Sequence, residues 1–326
     1  MMCKYLIHYF SGTGNTYHMV KTIERELSNR GNEVDLLNIE KYKDIKLVNY
    51  NLHIFCFPVY GFGTPSIMLR YISSLKAEVG CNAAIVCTSA GAEGQSLNHC
   101  KYLLNKKGFK VFLTDMVVYT YNWTQILNPQ SKEIEERVFK DAEANVIEIT
   151  KKIINNETYI KKTNIIILIL SWLIFSIFHN LGRRILGKTF IADDTCISCG
   201  KCKDICPAKV IYMYNGKPRW KSNCESCQRC INICPKTSIQ LSIIKLAIFV
   251  TLELVPILVI VDINNYIYYL PIIVNMILYC IMFVANTIIA NILISIMEKV
   301  GLFKKIFNIS YTKKYRRNIA KGFNIK

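Results

Sequence analysis

The sequence predicts three kinds of structure in one chain: an α/β doubly wound parallel sheet, a small cysteine-rich α+β domain, and an α-helical transmembrane hairpin. In the first half, five strand-like apolar runs alternate with helix-like segments, the pattern of a parallel sheet covered on both faces. Eight of the 14 cysteines then fall between Cys196 and Cys234 at a repeated spacing, and two long apolar stretches follow Ile243. A length of 326 residues calls for more than one domain. With 52% hydrophobic and 20% charged residues, little of the chain can be disordered linker.

The N-terminal run Lys4 to Phe10 has neither a basic n-region nor a cleavage site after it, so it reads as a first strand of a chain that starts in the cytoplasm. Ser11-Gly12-Thr13-Gly14-Asn15-Thr16 follows at once, and then a helix-like stretch from Tyr17 to Asn29. The loop fails the Walker pattern, and it lacks the third glycine of a dinucleotide fingerprint where Tyr17 stands. What remains is a hydroxyl- and amide-rich turn at a helix N-terminus, where free backbone N–H groups and the helix dipole hold a terminal phosphate without a cationic side chain. Further strands are expected at Glu33–Ile39, Leu52–Phe57, Ala83–Ser89 and Phe109–Tyr119.

This S-G-T-G-N-T string in its strand–loop–helix setting resembles the FMN phosphate loop of flavodoxins. The resemblance implies a flavodoxin-like sheet with FMN outside the strand C-termini. Ser11, Gly12, Thr13, Gly14, Asn15 and Thr16 would hold the phosphate. The loops Pro58, Tyr60, Gly61, Gly63 and Thr88, Ser89, Gly91, Gly94 would face the ring, with Tyr60 available to stack on it and Tyr121-Asn122-Trp123 to cover it. The alternative is that these are ordinary glycine turns beside core aromatics, in a fold without its flavin.

The cysteine segment reads C-x2-C-x2-C-x3-C-P twice: Cys196, Cys199, Cys202, Cys206, Pro207, then Cys224, Cys227, Cys230, Cys234, Pro235, offset by 28 residues at every position. Zinc needs four thiolates but neither the second C-x2-C step, which brings in the third cysteine, nor the proline, so the spacing favours iron–sulfur clusters. The run is similar to that of two-cluster bacterial ferredoxins. That resemblance implies one [4Fe–4S] cluster on Cys196, Cys199, Cys202 and Cys234, and a second on Cys224, Cys227, Cys230 and Cys206. Cys3, Cys56, Cys81, Cys87, Cys100 and Cys280 lack such spacing and read as small apolar residues.

The stretch Ile243–Val261 is interrupted by Lys245, Glu253 and Pro256, and Tyr266–Met297 by Asn275, Asn286 and Asn291; each is long enough to cross a bilayer. The expected turn Asp262-Ile263-Asn264-Asn265 carries no cation, whereas nine Lys and Arg follow Met297, so the hairpin should have both ends in the cytoplasm. Residues 164–178 form a shorter apolar segment with basic flanks, read as an interfacial, re-entrant or buried helix. Glu253 is expected to face a polar partner in the hairpin, such as Asn275 or Asn286, or to snorkel, with a proton or ion role as the alternative. The net charge of +18 gathers around these apolar segments, which argues for a lipid bilayer as partner and against nucleic acid.

The order of parts resembles flavodoxin–ferredoxin fusion proteins of anaerobes over roughly residues 1–240, a family that implies electron transfer rather than a defined substrate. The expected domains are 1–155 flavodoxin-like, 156–190 linker, 191–240 two-cluster ferredoxin, 241–298 membrane hairpin and 299–326 basic tail. The resulting expectation is a membrane-attached carrier of low-potential electrons between FMN, two [4Fe–4S] clusters and a redox protein. The alternatives are a flavin-dependent reductase of a small substrate and a non-catalytic redox sensor or scaffold. The five scattered histidines mark no acid/base pair, so no catalytic residue is assigned.

Overall fold

The computed structural model describes residues 2–41, 49–76, 80–266 and 269–324; Lys326 of the basic tail lies outside them. The chain divides into two units: residues 1–179 with 227–232 and 316–326, and residues 180–226 with 233–315.

In the first unit, β1 (Lys4–Tyr9) is buried on both faces, as an inner strand of a parallel sheet must be. It is followed by α1 (Asn15–Ser28), β2 (Glu33–Asn38), β3 (Leu52–Pro58), α2 (Ser66–Ser74), β4 (Asn82–Ser89), α3 (Ser96–Lys106), β5 (Lys110–Val118), α4 (Lys132–Ile154) and a short β6 (Tyr159–Ile160). The sheet order is β2-β1-β3-β4-β5-β6 and every pairing is parallel. Order 2-1-3-4-5 is that of the flavodoxin-like doubly wound sheet. Side chains alternate along β1: Tyr5 and Ile7 join Met19, Ile23, Val146 and Ile153 of α1 and α4, while Leu6 packs with Met68, Ile72, Leu97 and Leu104 of α2 and α3. Both faces are therefore sealed, and the ends of β1, β3, β4 and β5 are left to carry loops.

Helix α5 (Ile165–Ile177) closes this unit, with Ser171 and Phe175, four residues apart, as its buried stripe. The helical run continues through a π turn, Phe178–Gly182, into α6 (Arg183–Thr189). The apolar segment of 15 residues is thus extended to 25, long enough to cross a membrane.

In the second unit, β7 (Phe190–Ala192) and α7 (Lys201–Asp204) precede β8 (Ile211–Tyr214) and β9 (Lys217–Trp220). The last two form a hairpin across Asn215-Gly216, both with positive φ (46° and 73°), the tight turn that asparagine and glycine favour. After α8 (Arg229–Ile233), β10 (Ile239–Leu241) pairs antiparallel with β7. Helices α9 (Ile243–Tyr266) and α10 (Ile272–Met297) pack together, and α11 (Gly301–Phe307) follows. All three long apolar runs, Ile165–Thr189, Ile243–Tyr266 and Ile272–Met297, are long and apolar enough to cross a membrane.

One hairpin expectation is corrected. Asp262-Ile263-Asn264-Asn265 is the last turn of α9, not the connection. The cause is Asn264, whose amide donates to the Ile260 carbonyl (2.8 Å) while its oxygen accepts from Leu270 N–H (2.8 Å), so the helix runs on and the chain turns after it. The partner of Glu253 is Thr287, whose hydroxyl donates to the carboxylate (2.9 Å), while Asn286 donates to the Leu252 carbonyl. At the base of the hairpin, buried Lys245 pairs with Glu298 and donates to the carbonyls of Lys188 and Phe190.

Candidate functional site

Cys196, Cys199, Cys202 and Cys234 line one cavity, together with Gly200, Met213, Pro218 and Ile239. The loop bends around it because Ser198 and Gly200 take positive φ (58° and 73°), Gly200 heading α7. The same left-handed steps recur 28 residues on at Ser226 and Gln228 (53° and 59°), and Lys209 is matched by Thr237 (52° and 49°). The repeat is therefore one of backbone conformation as well as of cysteines. Successive N–H groups in such turns point inward and make an anion-binding concavity, suited to the sulfurs of a cluster. Burial pushes the Cys202 thiol up to about 12, so ligation there has to displace a firmly held proton.

Among the described residues no three His, Cys, Asp or Glu side chains are grouped to hold a single metal ion. Four thiols around one cavity, from a run with a third closely spaced cysteine and a proline after the fourth, are the donor set of a cubane. Of the other four cysteines, Cys224 is buried against Gly187, where a Cβ would overlap its side chain, and its carbonyl accepts from Arg183 (3.0 Å). Cys206 follows α7; Cys227 and Cys230 belong to the first unit, Cys230 buried and Cys227 half-buried.

The loop after β1 is shaped by Ser11 and Gly14. The Ser11 hydroxyl accepts from Gly14 N–H (3.1 Å) and Tyr17 N–H (3.2 Å), and Gly14, at φ +111°, heads α1 with no side-chain cap. The first turn of α1 thus keeps backbone donors for an outside acceptor. The Thr16 and Thr88 hydroxyls share a hydrogen bond (2.8 Å), tying this loop to the end of β4. Asn122 donates to the Thr13 hydroxyl (2.5 Å) and the Asn15 side-chain oxygen (3.3 Å), and Asn15 donates to the Thr120 carbonyl (2.9 Å). Ser11, Thr13, Gly14, Asn15, Thr16, Thr88 and Asn122 are therefore brought together.

Arg229, from between Cys227 and Cys230, reaches the same loop. It donates to the carbonyls of Ser11 (2.6 Å) and Gly12 (3.0 Å) and makes a two-point contact with Glu40 (2.6 and 2.7 Å), while 1% exposed. Burial works against its charge, but Glu40 more than offsets this and holds the guanidinium above its ordinary range.

The ring-facing loops pack largely on their own chain. Tyr60 and Gly63 exchange two backbone hydrogen bonds around Gly61 and Phe62, both with positive φ (55° and 65°). A Cβ at Gly61 would overlap Phe178, one at Gly63 would overlap Phe175, and one at Gly94 would stand 2.6 Å from the Phe62 side chain. The Tyr60 hydroxyl lies against Gly12, and its ring meets Phe10 edge-on at 6.3 Å. Pro58 ends β3; Ser89 turns back onto the Ala92 carbonyl (2.6 Å); Gly91 meets nothing within 4 Å. Tyr121 donates to the Asn128 carbonyl, and Trp123 is 39% exposed. Motif reading passed over Arg229, Glu40, Phe175 and Phe178, since none belongs to a fixed local spacing.

Two family models match the chain: flavodoxin over residues 7–104 and the 4Fe-4S dicluster domain over residues 184–242. The chain carries a flavodoxin domain followed by a 4Fe-4S dicluster domain. The first implies FMN and the second two iron–sulfur clusters, and together they give the protein an electron-transfer redox role. Similar solved structures include a flavodoxin from Archaea (15% identity, 46% of this chain and 97% of that one, TM-score 0.34) and two-electron reduced Megasphaera elsdenii flavodoxin (19%, 43% and 98%, 0.31). Rubredoxin oxygen:oxidoreductase from Desulfovibrio gigas is a third (15%, 45% and 36%, 0.31). No curated protein matches the chain. The donors of the flavodoxin domain's first loop fit a phosphomonoester: the amides of a helix N-terminus headed by glycine, two threonines and two asparagines.

Proposed function

We propose that this protein is a membrane-attached electron carrier that passes low-potential electrons between FMN, two [4Fe–4S] clusters and a partner redox protein. The observation that carries the reading is the convergence of Cys196, Cys199, Cys202 and Cys234 on one cavity within a chain that also has a flavodoxin domain. Those four cysteines would ligate one cluster, and Cys224, Cys227, Cys230 and Cys206 the other, the second set resting on the repeat. Ser11 to Thr16 with Asn122 would bind the FMN phosphate, and the Pro58–Gly63 and Thr88–Gly94 loops would border the ring. Bound FMN would supply exchange between two-electron and one-electron traffic.

In this reading, 1–155 is the flavin domain, 191–240 the cluster domain and 241–298 the membrane hairpin. With Ile165–Thr189 lying at the interface rather than crossing, as its basic flanks suggest, the basic residues after Met297 support a cytoplasmic location for both hairpin ends and for the redox domains. The direct test is iron, acid-labile sulfide, zinc and flavin per chain in anaerobically purified, detergent-extracted protein. About eight iron, eight sulfide and one FMN are expected for two cubanes and one flavin. Iron without flavin would reduce the protein to a membrane ferredoxin, and zinc in place of iron would overturn electron transfer.

A further inference from the structure

The space above the first loop of the flavodoxin domain is occupied by the chain's own C-terminal segment. Ala320 N–H donates to the Thr13 carbonyl (2.9 Å), and a Cβ at Gly14 would stand 2.6 Å from Ala320 Cβ and 2.9 Å from Phe323 Cβ. Phe323 meets the Tyr17 ring at 5.4 Å, and Asn318 donates to the Asn122 side-chain oxygen (3.0 Å), the residue that itself holds Thr13 and Asn15. Asn318, Ala320 and Phe323 are all buried. Upstream, Arg316 anchors the segment: its N–H donates to the Asn128 side chain (2.9 Å) and its guanidinium pairs with Glu135 (2.6 Å).

We propose that residues 316–324 form a displaceable cover on the phosphate loop, which must lift for FMN to seat its phosphate. This rests on the flavin reading above. The cover sits where a phosphate would approach α1 but satisfies it poorly. Ala320 gives a donor to a carbonyl, its own carbonyl accepts from Phe323, and among the described residues of the cover none accepts from the first turn of α1. A phosphate supplies acceptor oxygens and negative charge at that helix N-terminus, which an alanine and a phenylalanine cannot. The cover therefore blocks by volume, and the loop retains a preference for an anion. Arg316, outside the contact with Thr13 and Gly14, is placed as the fixed end from which the rest swings.

The test is FMN titration of the full-length, cluster-loaded protein in detergent, with riboflavin as the phosphate-free control. Phe323→Ala combined with Asn318→Ala should raise FMN affinity about tenfold and leave riboflavin unchanged. Ala320→Pro, which removes the N–H given to Thr13, should act in the same direction. Hydrogen exchange in residues 316–324 of the unaltered protein should quicken when FMN is added. FMN binding with unchanged affinity in both variants and no quickening would overturn the cover while leaving the flavin reading intact. Absence of FMN binding in every form would overturn both.

Discussion

In the proposed function the two cysteine loops and the loop that opens α1 would do similar work, presenting backbone amides to an anionic group, yet they are specified in different ways. In the cysteine loops most of the specification is local, with only the fourth cysteine of each set coming from the other loop: the cysteines, prolines and left-handed steps at 198, 200 and 209 recur at 226, 228 and 237. Around the α1 loop only Ser11 and Gly14 act locally, and the rest arrives from afar, as Arg229 does to Ser11 and Ala320 to Thr13. The contrast teaches that a site built from spacing can be read along the chain, while one closed by tertiary contacts cannot.

The largest effect expected from breaking this contrast is in the cysteine loops. Cys199→Ser should remove one cluster, lowering iron from about eight to about four per chain while flavin binding stays unchanged. Iron and sulfide analysis checks this directly. Loss of all iron would mean that the two repeated loops form only together, making the cluster segment less local than its spacing implies.

Next in size is the pair Arg229–Glu40, whose side chains are 1% and 15% exposed. Glu40→Ala leaves the buried guanidinium its carbonyl partners on Ser11 and Gly12 but removes its counter-charge, and should cost about 3 kcal/mol in the urea unfolding of the first unit. Arg316–Glu135 is a useful reference, being partly exposed at 26% and 15%; Glu135→Ala should cost at most about 1 kcal/mol. Equal losses would show that the α1 loop does not depend on its long-range partner.

Much of the fold was legible from period and spacing: strands within a residue or two of their bounds, the start of α1 and the C-termini that carry loops. Such features arise from alternation and glycine geometry within a dozen residues. The long apolar helices were legible too, but not their ends, because Asn264 holds α9 one turn further than its hydropathy implies. In the candidate site, the phosphate loop was visible as a string, whereas its cover was not. Asn318, Ala320 and Phe323 have no motif, and a basic tail reads only as charge. Likewise the ring-facing glycines admit Phe175 and Phe178 at close range, a use that glycine in a loop does not announce.

Acid separates the two regions again. All five histidines lie in the first unit, and His8 of β1 and His53 of β3 are buried, joined at 3.0 Å. Burial pushes His53 down to about 4 and His8 well below its ordinary value of 6.5, with each other's charge a further cause for His8. A histidine depressed in the folded state is protonated first in the unfolded chain, so stability is full above pH 6.5 and is lost as pH falls below it. By pH 5 the loss should be about 2 kcal/mol for His53, with His8 adding to it in the same direction. Urea midpoints at pH 7 and 5 check this: the first unit should weaken, and His53→Gln should shrink the difference.

The smallest change tests the α1 loop from within. Thr16 and Thr88 are 1% and 3% exposed and satisfy one another at 2.8 Å, so Thr16→Ala leaves the Thr88 hydroxyl buried without this partner. The expected cost is about 1–3 kcal/mol, and since Thr16 is in the first turn of α1, the loss should appear as weaker FMN binding of up to about tenfold or more. Iron content should not move, because the cysteine loops draw nothing from this hydrogen bond. Thr16→Ser restores the hydroxyl and should recover most of the affinity, whereas a methyl-packing role would leave the serine variant as weak as alanine. If Thr16→Ala instead lowers iron together with flavin, the loop and the clusters are one cooperative structure, and the separation between local and long-range specification fails at its smallest contact.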